Sequence, residues 1–187
     1  AKPGTEERKL RDLYDAFVDE TQIESRGLDP VKGDLDRIAS VKTLEDVARL
    51  MGEPRMGLDG PFNAWIGVDD KNPDAYAVMV FQSGLGLPDR DYYLREDESL
   101  AKTRDTYRAH LAEMLGFAGR PDAATRAAAV YELERQIAEA SWPAADRREA
   151  EKMYNPTPIS ALRELAPGFP WNVYFEATGI PLQSPRG

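Results

Sequence analysis

The clearest hydrophobic pattern of the chain lies between residues 62 and 81. Apolar residues occupy every second position from Phe62 to Val68, which is the period of a half-buried strand. A second run, Tyr76–Phe81, is apolar at every position, so both faces of this strand are expected to be covered. The residues between the two runs are turn formers. The pattern predicts an antiparallel β-hairpin at about residues 62–81, with a turn that contains Asp69, Asp70 and Asn72.

Helical periodicity precedes the hairpin. Apolar residues from Leu10 to Val18 recur at spacings of three and four, which predicts an amphipathic helix from about Thr5 to Asp19. A short turn is predicted after it, opened by a capping box of Thr21 with Glu24 and closed by Gly27 and Pro30. Two short helices follow, one around Val31–Ile38 and one from Thr43 to Met51 that Gly52 ends.

Helical patterns also follow the hairpin. Five segments carry them: about Asp97–Ala118, an alanine-rich stretch from Asp122 to Trp142 with Val130, Leu133 and Ile137 as its apolar stripe, a short helix capped by Asp146 and ending at Tyr154, another capped by Thr157, and Trp171–Thr178. The predicted fold class is therefore mainly α, a multi-helix lobe with one embedded antiparallel β-hairpin. Residues 180–187 show no periodicity, so we expect a disordered tail with rapid amide exchange.

Composition and charge narrow the possible partners. The 187 residues are 42% hydrophobic and 30% charged, as in a folded globular chain rather than a disordered one. The net charge of −9 argues against nucleic acid and against an anionic membrane surface as partners. No apolar run reaches the ~18 residues that span a bilayer. The absence of cysteine excludes disulfides and thiolate chemistry.

Four short segments, rich in glycine, aromatic and charged residues, stand out from this background. Gly84–Tyr93 reads GLGLPDRDYY and closely resembles the Leu-Gly-Leu-Pro-x-Arg-Asp-Tyr-Tyr signature of the neprilysin and endothelin-converting-enzyme family of zinc metallopeptidases. Gly67–Asn72 is similar to the segment before that signature, and Lys152–Asn155 and Phe169–Trp171 are similar to later landmarks. The residues that carry the signature are Gly84, Leu85, Gly86, Leu87, Pro88, Arg90, Asp91, Tyr92 and Tyr93.

The resemblance implies a zinc metalloendopeptidase that hydrolyses oligopeptides. Such enzymes have two mostly helical lobes, a larger one with zinc and a smaller one that restricts substrate size; zinc-bound water is the nucleophile and a glutamate is the base. Residues 1–179 then correspond to an N-terminal, non-catalytic segment of the capping lobe. Its implied partners are the catalytic zinc lobe of the same enzyme and the peptide substrates of the parent, with a periplasmic or extracellular location.

Zinc chemistry needs residues that this chain lacks. The motif H-E-x-x-H places two histidines one helical turn apart and adds a glutamate that activates water. The chain has one histidine, His110, and no cysteine. We therefore assign no catalytic residue, no metal ligand and no cofactor to this chain, and expect zinc only in the parent enzyme. The chain alone is predicted to be inactive, and His110 is expected to be a structural or surface residue.

Two other motifs suggest binding chemistry and fail in detail. Asp70, Asn72 and Asp74 alternate as at the start of a calcium loop, but Ala75 stands where that loop requires glycine and Phe81 where it requires glutamate. A hydrogen-bonded turn is the favoured interpretation.

The glycines of Gly84-Leu85-Gly86 invite comparison with a dinucleotide-binding loop, but Asp89 takes the place of its third glycine. We expect these glycines to turn the chain, Arg90 and Asp91 to anchor the corner, and Tyr92 and Tyr93 to pack beneath it.

Hydrolysis by a pair of carboxylates is an alternative that the sequence leaves open, because sequence spacing cannot locate a carboxylate pair.

An alternative to the peptidase interpretation is a free-standing, non-catalytic helical interaction module. The hairpin bears on both possibilities, because a strand that is apolar on two faces exceeds what one helical layer can cover. One face, either Tyr76, Val78 and Val80 or Ala77, Met79 and Phe81, is expected to pack on chain outside these residues or on a second copy. Self-association through the hairpin is thus a further possibility.

Overall fold

The computed structural model describes residues 2–180 and is mainly α, as predicted. The described part contains ten α-helices and one two-stranded antiparallel sheet. The helices are α1 Glu6–Val18, α2 Glu20–Arg26, α3 Lys32–Ser40, α4 Leu44–Gly52, α5 Asp91–Leu94, α6 Glu98–Phe117, α7 Ala123–Ala140, α8 Ala150–Met153, α9 Ile159–Leu165 and α10 Trp171–Thr178. The strands are β1 Phe62–Asp69 and β2 Asn72–Gln82.

The chain divides into two compact units at Val41. The first unit holds α1 to α3. α1 has nearly the predicted bounds, and the side chain of Thr5 caps it by accepting the N–H of Arg8. The apolar stripe of α1 lies in solvent, with Phe17 80% exposed. The predicted capping box at Thr21 is wrong: the side chain of Asp19 accepts the N–H of Gln22 and opens α2 two residues earlier.

The second unit begins with α4 and has its first core where α4 meets α10. Trp171, Tyr174 and Phe175 of α10 pack against Ala48 of α4. Gly52 is the last residue of α4 rather than its stop signal, because a Cβ there would lie 2.5 Å from the carbonyl oxygen of Tyr174. Its role is the close approach of two helices.

A second core of the same unit forms among α5, α6 and α7. Leu87 and Tyr93 pack on Tyr131 and Ala138 of α7. The predicted stripe of α7 is rotated from the real one: Leu133 is exposed, whereas Ala127, Tyr131 and Ala138 are buried. The small side chains of Ala127 and Ala138 let neighbouring elements approach α7 closely, so the buried face of the helix centres on these two alanines and Tyr131.

The hairpin has the predicted strands but a tighter turn. Phe62 pairs with Gln82 and Val68 with Tyr76, and the register shifts between Val68 and Asp69. β2 therefore starts at Asn72, and the turn consists of Asp70 and Lys71. Pro73 lies in the bulge that the shift creates. At that position no backbone N–H is needed for a hydrogen bond between the strands, so proline is tolerated.

One face of the hairpin is covered at one end only. Phe62 and Ala64 pack on the first core, whereas the same face continues into exposed side chains. These form the bare hairpin face: Ile66, Val68, Tyr76, Val78 and Val80. The opposite face has Trp65 edge-on to Phe81 at 5.0 Å between ring centroids, with Met79 half-buried. The expectation that both faces of Tyr76–Phe81 are covered is thus wrong within the described residues.

Two predicted caps near the end of the chain are also wrong. Neither Asp146 nor Thr157 caps a helix: Asp146 lies in a short 3-10 turn and binds Lys152, and the hydroxyl of Thr157 donates to the carbonyl of Asn155. The last helix ends at Gly179 as predicted, with φ of +70°. Ile180 packs against the first core, and the rest of the predicted tail, 181–187, lies outside the described residues.

Within the described ranges, none of the helices combines the length and the apolar character that crossing a bilayer requires.

Candidate functional site

The signature corner, Gly84–Tyr93, starts at a backbone crossing. The Ser83 N–H donates to the carbonyl of Pro61 at 3.0 Å, and Gly84 follows with φ of +85°. A Cβ on Gly84 would lie 2.8 Å from the carbonyl oxygen of Gly60. Only glycine meets both the dihedral angle and the space, so the corner depends on Gly84.

A hydrogen-bonded cluster then fastens the corner to α7. The hydroxyl of Tyr93 accepts the Leu87 N–H at 2.9 Å and donates to Glu134 at 2.7 Å. Tyr107 of α6 donates to the other oxygen of Glu134 at 2.9 Å. A Cβ on Gly86 would overlap the hydroxyl of Tyr107. Glu134 thus joins α5, α6 and the corner in one network.

Burial governs the ionisation of the two tyrosines in this cluster. Loss of hydration raises the pKa of Tyr93 far above its ordinary range. The hydrogen bond from the Leu87 N–H lowers this pKa, and the hydrogen bond to Glu134 and its negative charge raise it further. Burial and Glu134 raise the pKa of Tyr107 in the same way. Both hydroxyls therefore stay protonated as donors, and neither can act as a base near neutral pH.

Arg90 and Asp91 lie where the corner meets the end of α7. The Nε of Arg90 donates to the carbonyl of Ala138 at 3.2 Å, which places a cation at the C-terminal end of that helix. Arg90 and Asp91 approach only to 3.9 Å, whereas Asp89 accepts the Asp91 N–H at 2.8 Å. Tyr92 packs on the second core, and its carbonyl accepts from Arg104 of α6.

The turn residues meet a segment 80 positions away in the chain. Asp69 accepts the N–H groups of Lys71 and Asn72 at 2.8 and 3.1 Å, which closes the turn. The hydroxyl of Tyr154 donates to Asp69 at 3.1 Å, and Lys71 binds Glu151 at 3.0 Å. Two of the four segments that stood out in the sequence, Gly67–Asn72 and Lys152–Asn155, are therefore in direct contact. Asp70 is exposed at the tip.

The remaining segment, Phe169–Trp171, anchors the base of the hairpin. The ring of Phe62 lies 5.2 Å from Phe169, 5.1 Å from Trp171 and 5.1 Å from Tyr174, measured between centroids. The indole N–H of Trp171 donates to the carbonyl of Ala166 at 3.1 Å, so its polar atom is satisfied inside the core. This segment holds the hairpin by packing rather than by chemistry.

The donor set does not fit a zinc ion. His110, the one histidine of the chain, is exposed on α6, and the chain has no cysteine. Across residues 2–180 no three metal-ligating side chains come together. We therefore derive no metal-dependent step from these residues.

Two cavities flank the hairpin and the corner. One, of about 180 Å³, lies between the corner and the exit of α7; Arg90 and Arg147 contribute its cations. The other, of about 290 Å³, lies under the loop before β1 and is lined by Trp65, Phe81 and Asp59 among others. The first cavity has the hydroxyls of Ser83 and Ser141, but these bond to Asn63 and to the carbonyl of Ile137 rather than to the carboxylate of Asp89, so no nucleophile is paired with a base there.

Sequence reasoning missed Glu134 and Tyr107 as partners of the corner. The available signal was an acid placed among apolar residues of a helix: Glu134 shares the buried face of α7 with Tyr131 and Ala138. A carboxylate in such a position requires donors, and tyrosine hydroxyls supply them.

Comparison with known proteins gives a consistent result. The sequence model for the N-terminal part of peptidase family M13 matches residues 1–186. Neprilysin-3 of Drosophila melanogaster is 30% identical over 184 residues, which is 91% of this chain and 23% of its own length. Human endothelin-converting enzyme 1 is 26% identical over 187 residues, 95% of this chain and 24% of its own length.

Solved structures agree with the sequence relatives. The zinc metalloprotease Zmp1 of Mycobacterium tuberculosis, in complex with an inhibitor, superposes with a TM-score of 0.84 and 32% identity. The match covers 97% of this chain and 28% of that one. An open state of the same protease gives a TM-score of 0.83. The chain thus spans about a quarter of the length of the proteins that it matches.

Proposed function

Since the chain belongs to peptidase family M13, we propose that it is part of a zinc metalloendopeptidase that hydrolyses oligopeptides. Within that enzyme it forms a helical, non-catalytic lobe that restricts the size of the substrate. The observation that carries the proposal is the match to the N-terminal part of the family along residues 1–186, together with a donor set that does not fit zinc. The metal and the residues that act on the peptide bond then belong to another part of the enzyme.

The bare hairpin face supports a docking role for this lobe. Its five apolar side chains continue a surface whose other end, at Phe62 and Ala64, is already covered by a core. An exposed apolar patch of this kind marks a contact site. The occupant that we propose is the remainder of the same enzyme, because the relatives are about four times as long as this chain.

One substitution in two contexts tests the docking role. Tyr76 is 77% exposed, so Tyr76→Lys should change the unfolding free energy of the 187-residue chain by less than about 1 kcal/mol. In a polypeptide extended to include the rest of the enzyme, the same change should destabilise the fold clearly, because a charge would be buried. Equal small effects in both contexts would exclude docking at this face, and concentration-dependent sedimentation of the chain alone would assign the face to self-association.

The peptidase function has its own experiment. The extended polypeptide should contain the motif H-E-x-x-H. It should cleave short peptides but not a folded protein of similar sequence, and a zinc chelator should stop the cleavage. A reading frame without that motif would favour the alternative, a free-standing interaction module.

A further inference from the structure

The cavity beside the signature corner is polar and has unused donors. It lies between the end of β2, the corner and the residues that follow α7, and it has a volume of about 180 Å³. That volume has room for on the order of ten water molecules, or for a small organic ion. The side chain of Gln82 holds one wall of the cavity in place. Its Oε1 accepts the N–H of Trp142 at 2.8 Å, and its Nε2 donates to the carbonyl of Trp142 at 3.3 Å.

Three side chains on the wall have donors to spare. Arg90 uses its Nε on the carbonyl of Ala138, which leaves the amino groups of its guanidinium with no ion pair closer than 3.9 Å. Arg147 has no hydrogen bond or ion pair through its side chain within residues 2–180, although Lys152 nearby binds both Asp146 and Glu149. The hydroxyl oxygen of Ser83 accepts from Asn63 at 3.1 Å, so its proton is free to donate.

The net charge of the side chains that line the cavity indicates which kind of ligand it can bind. Arg90 and Arg147 face one carboxylate, Asp89, so the ionisable lining residues sum to one positive charge. Asp89 is committed to the Asp91 N–H and forms no ion pair with either arginine in the described part of the chain. A group with one negative charge and two acceptor oxygens matches both the charge and the fork geometry of guanidinium.

We propose that this cavity binds a small carboxylate, held by Arg90 and Arg147 with a further hydrogen bond from Ser83. The ligand is either a free organic acid or a carboxylate carried on a peptide, since both present the same group. The proposal does not depend on the peptidase function, because it uses only residues of this chain.

The test is titration of the 187-residue chain followed by the backbone amide shifts of residues 83–90, at constant ionic strength. Acetate and N-acetyl-glycylglycine should give saturable shifts, and N-acetyl-glycylglycinamide should give none. Arg147→Gln should weaken binding about tenfold. Arg148→Gln, in the same 3-10 turn but outside the cavity lining, should leave binding unchanged.

The outcomes separate cleanly. A peptide acid that binds at least as tightly as acetate points to a peptide source, and tighter acetate points to a free acid; either supports the site. Binding of the amide as tight as the acid, equal loss in the two arginine variants, or no saturable shift would overturn the proposal. Both variants should show wild-type unfolding midpoints, because Arg147 and Arg148 are exposed.

Discussion

At the scale of single residues, Glu134 is the point where the signature corner is joined to the helices. Its two carboxylate oxygens accept from Tyr93 and Tyr107, which come from different helices, and Tyr93 in turn satisfies the Leu87 N–H. Each member of the network is a partner of another, so the loss of one leaves a polar group unpaired near the second core. The stability of the corner should therefore depend on hydroxyl groups as much as on ring packing.

The first prediction compares two adjacent tyrosines. Tyr93→Phe keeps the ring but removes the partner of Leu87 and of Glu134, and should lower the unfolding free energy by about 1–3 kcal/mol. Tyr92→Phe should change it by less than about 0.5 kcal/mol, because the Tyr92 hydroxyl makes no hydrogen bond within residues 2–180. Urea unfolding measures both. Equal effects of the two substitutions would show that the network contributes nothing.

The second prediction concerns alkaline pH. The folded state raises the pKa of Tyr93 and Tyr107 by burial, so it holds their protons more tightly than the unfolded chain does. Their contribution to stability is complete below about pH 10, the pKa of an unfolded tyrosine, and is lost as the pH rises above it. Tyr107→Phe should make the decline of stability above pH 10 shallower. The exposed Tyr76, replaced by Phe, is the control and should leave the slope unchanged.

At the scale of elements, the hairpin is held at its two ends by different means. At its base, Phe62 packs among Phe169, Trp171 and Tyr174. At its tip, Tyr154 binds Asp69, and Lys71 lies 4.6 Å from the centre of the Tyr154 ring. The ion pair of Lys71 with Glu151 is exposed and the Tyr154–Asp69 hydrogen bond is only part-buried, so the tip contributes little to stability and the base should contribute most of the energy that fixes the hairpin.

The third prediction tests that division along one sheet face. Phe62→Ala removes an aromatic ring from the first core and should cost about 3 kcal/mol of unfolding free energy. Tyr76→Ala, on the same face but 77% exposed, should cost less than about 1 kcal/mol. Thermal unfolding distinguishes them. If Tyr76→Ala proved as costly as Phe62→Ala, the bare hairpin face would be covered within this chain.

The sequence predicts a feature of these elements well when the residues that determine the feature are close together in the chain. Thr5, Thr43 and Gly179 mark helix ends correctly, because caps act within one turn. Thr157 fails because its hydroxyl bonds a nearby carbonyl instead. The buried face of α7 and the link from Glu134 to Tyr93 depend on which helix packs where, which is a property of tertiary structure that periodicity alone does not contain.

At the scale of the whole molecule, each of the two units presents apolar side chains to solvent. In the first, the stripe of α1 is exposed, with Leu13 at 70%. In the second, the bare hairpin face is exposed. The chain matches the N-terminal model of its family along residues 1–186, has one histidine, and spans about a quarter of the length of its relatives. These features support the proposal that the chain is a non-catalytic lobe of a longer peptidase.

Zinc content tests this account most directly. Elemental analysis after dialysis, on the 187-residue chain and on a polypeptide extended through H-E-x-x-H, compares the lobe with the enzyme under one protocol. We predict zinc far below one equivalent for the chain alone and close to one equivalent for the extended polypeptide. Near-equimolar zinc in the chain alone, accompanied by peptide cleavage, would contradict the assignment of this segment as a non-catalytic lobe.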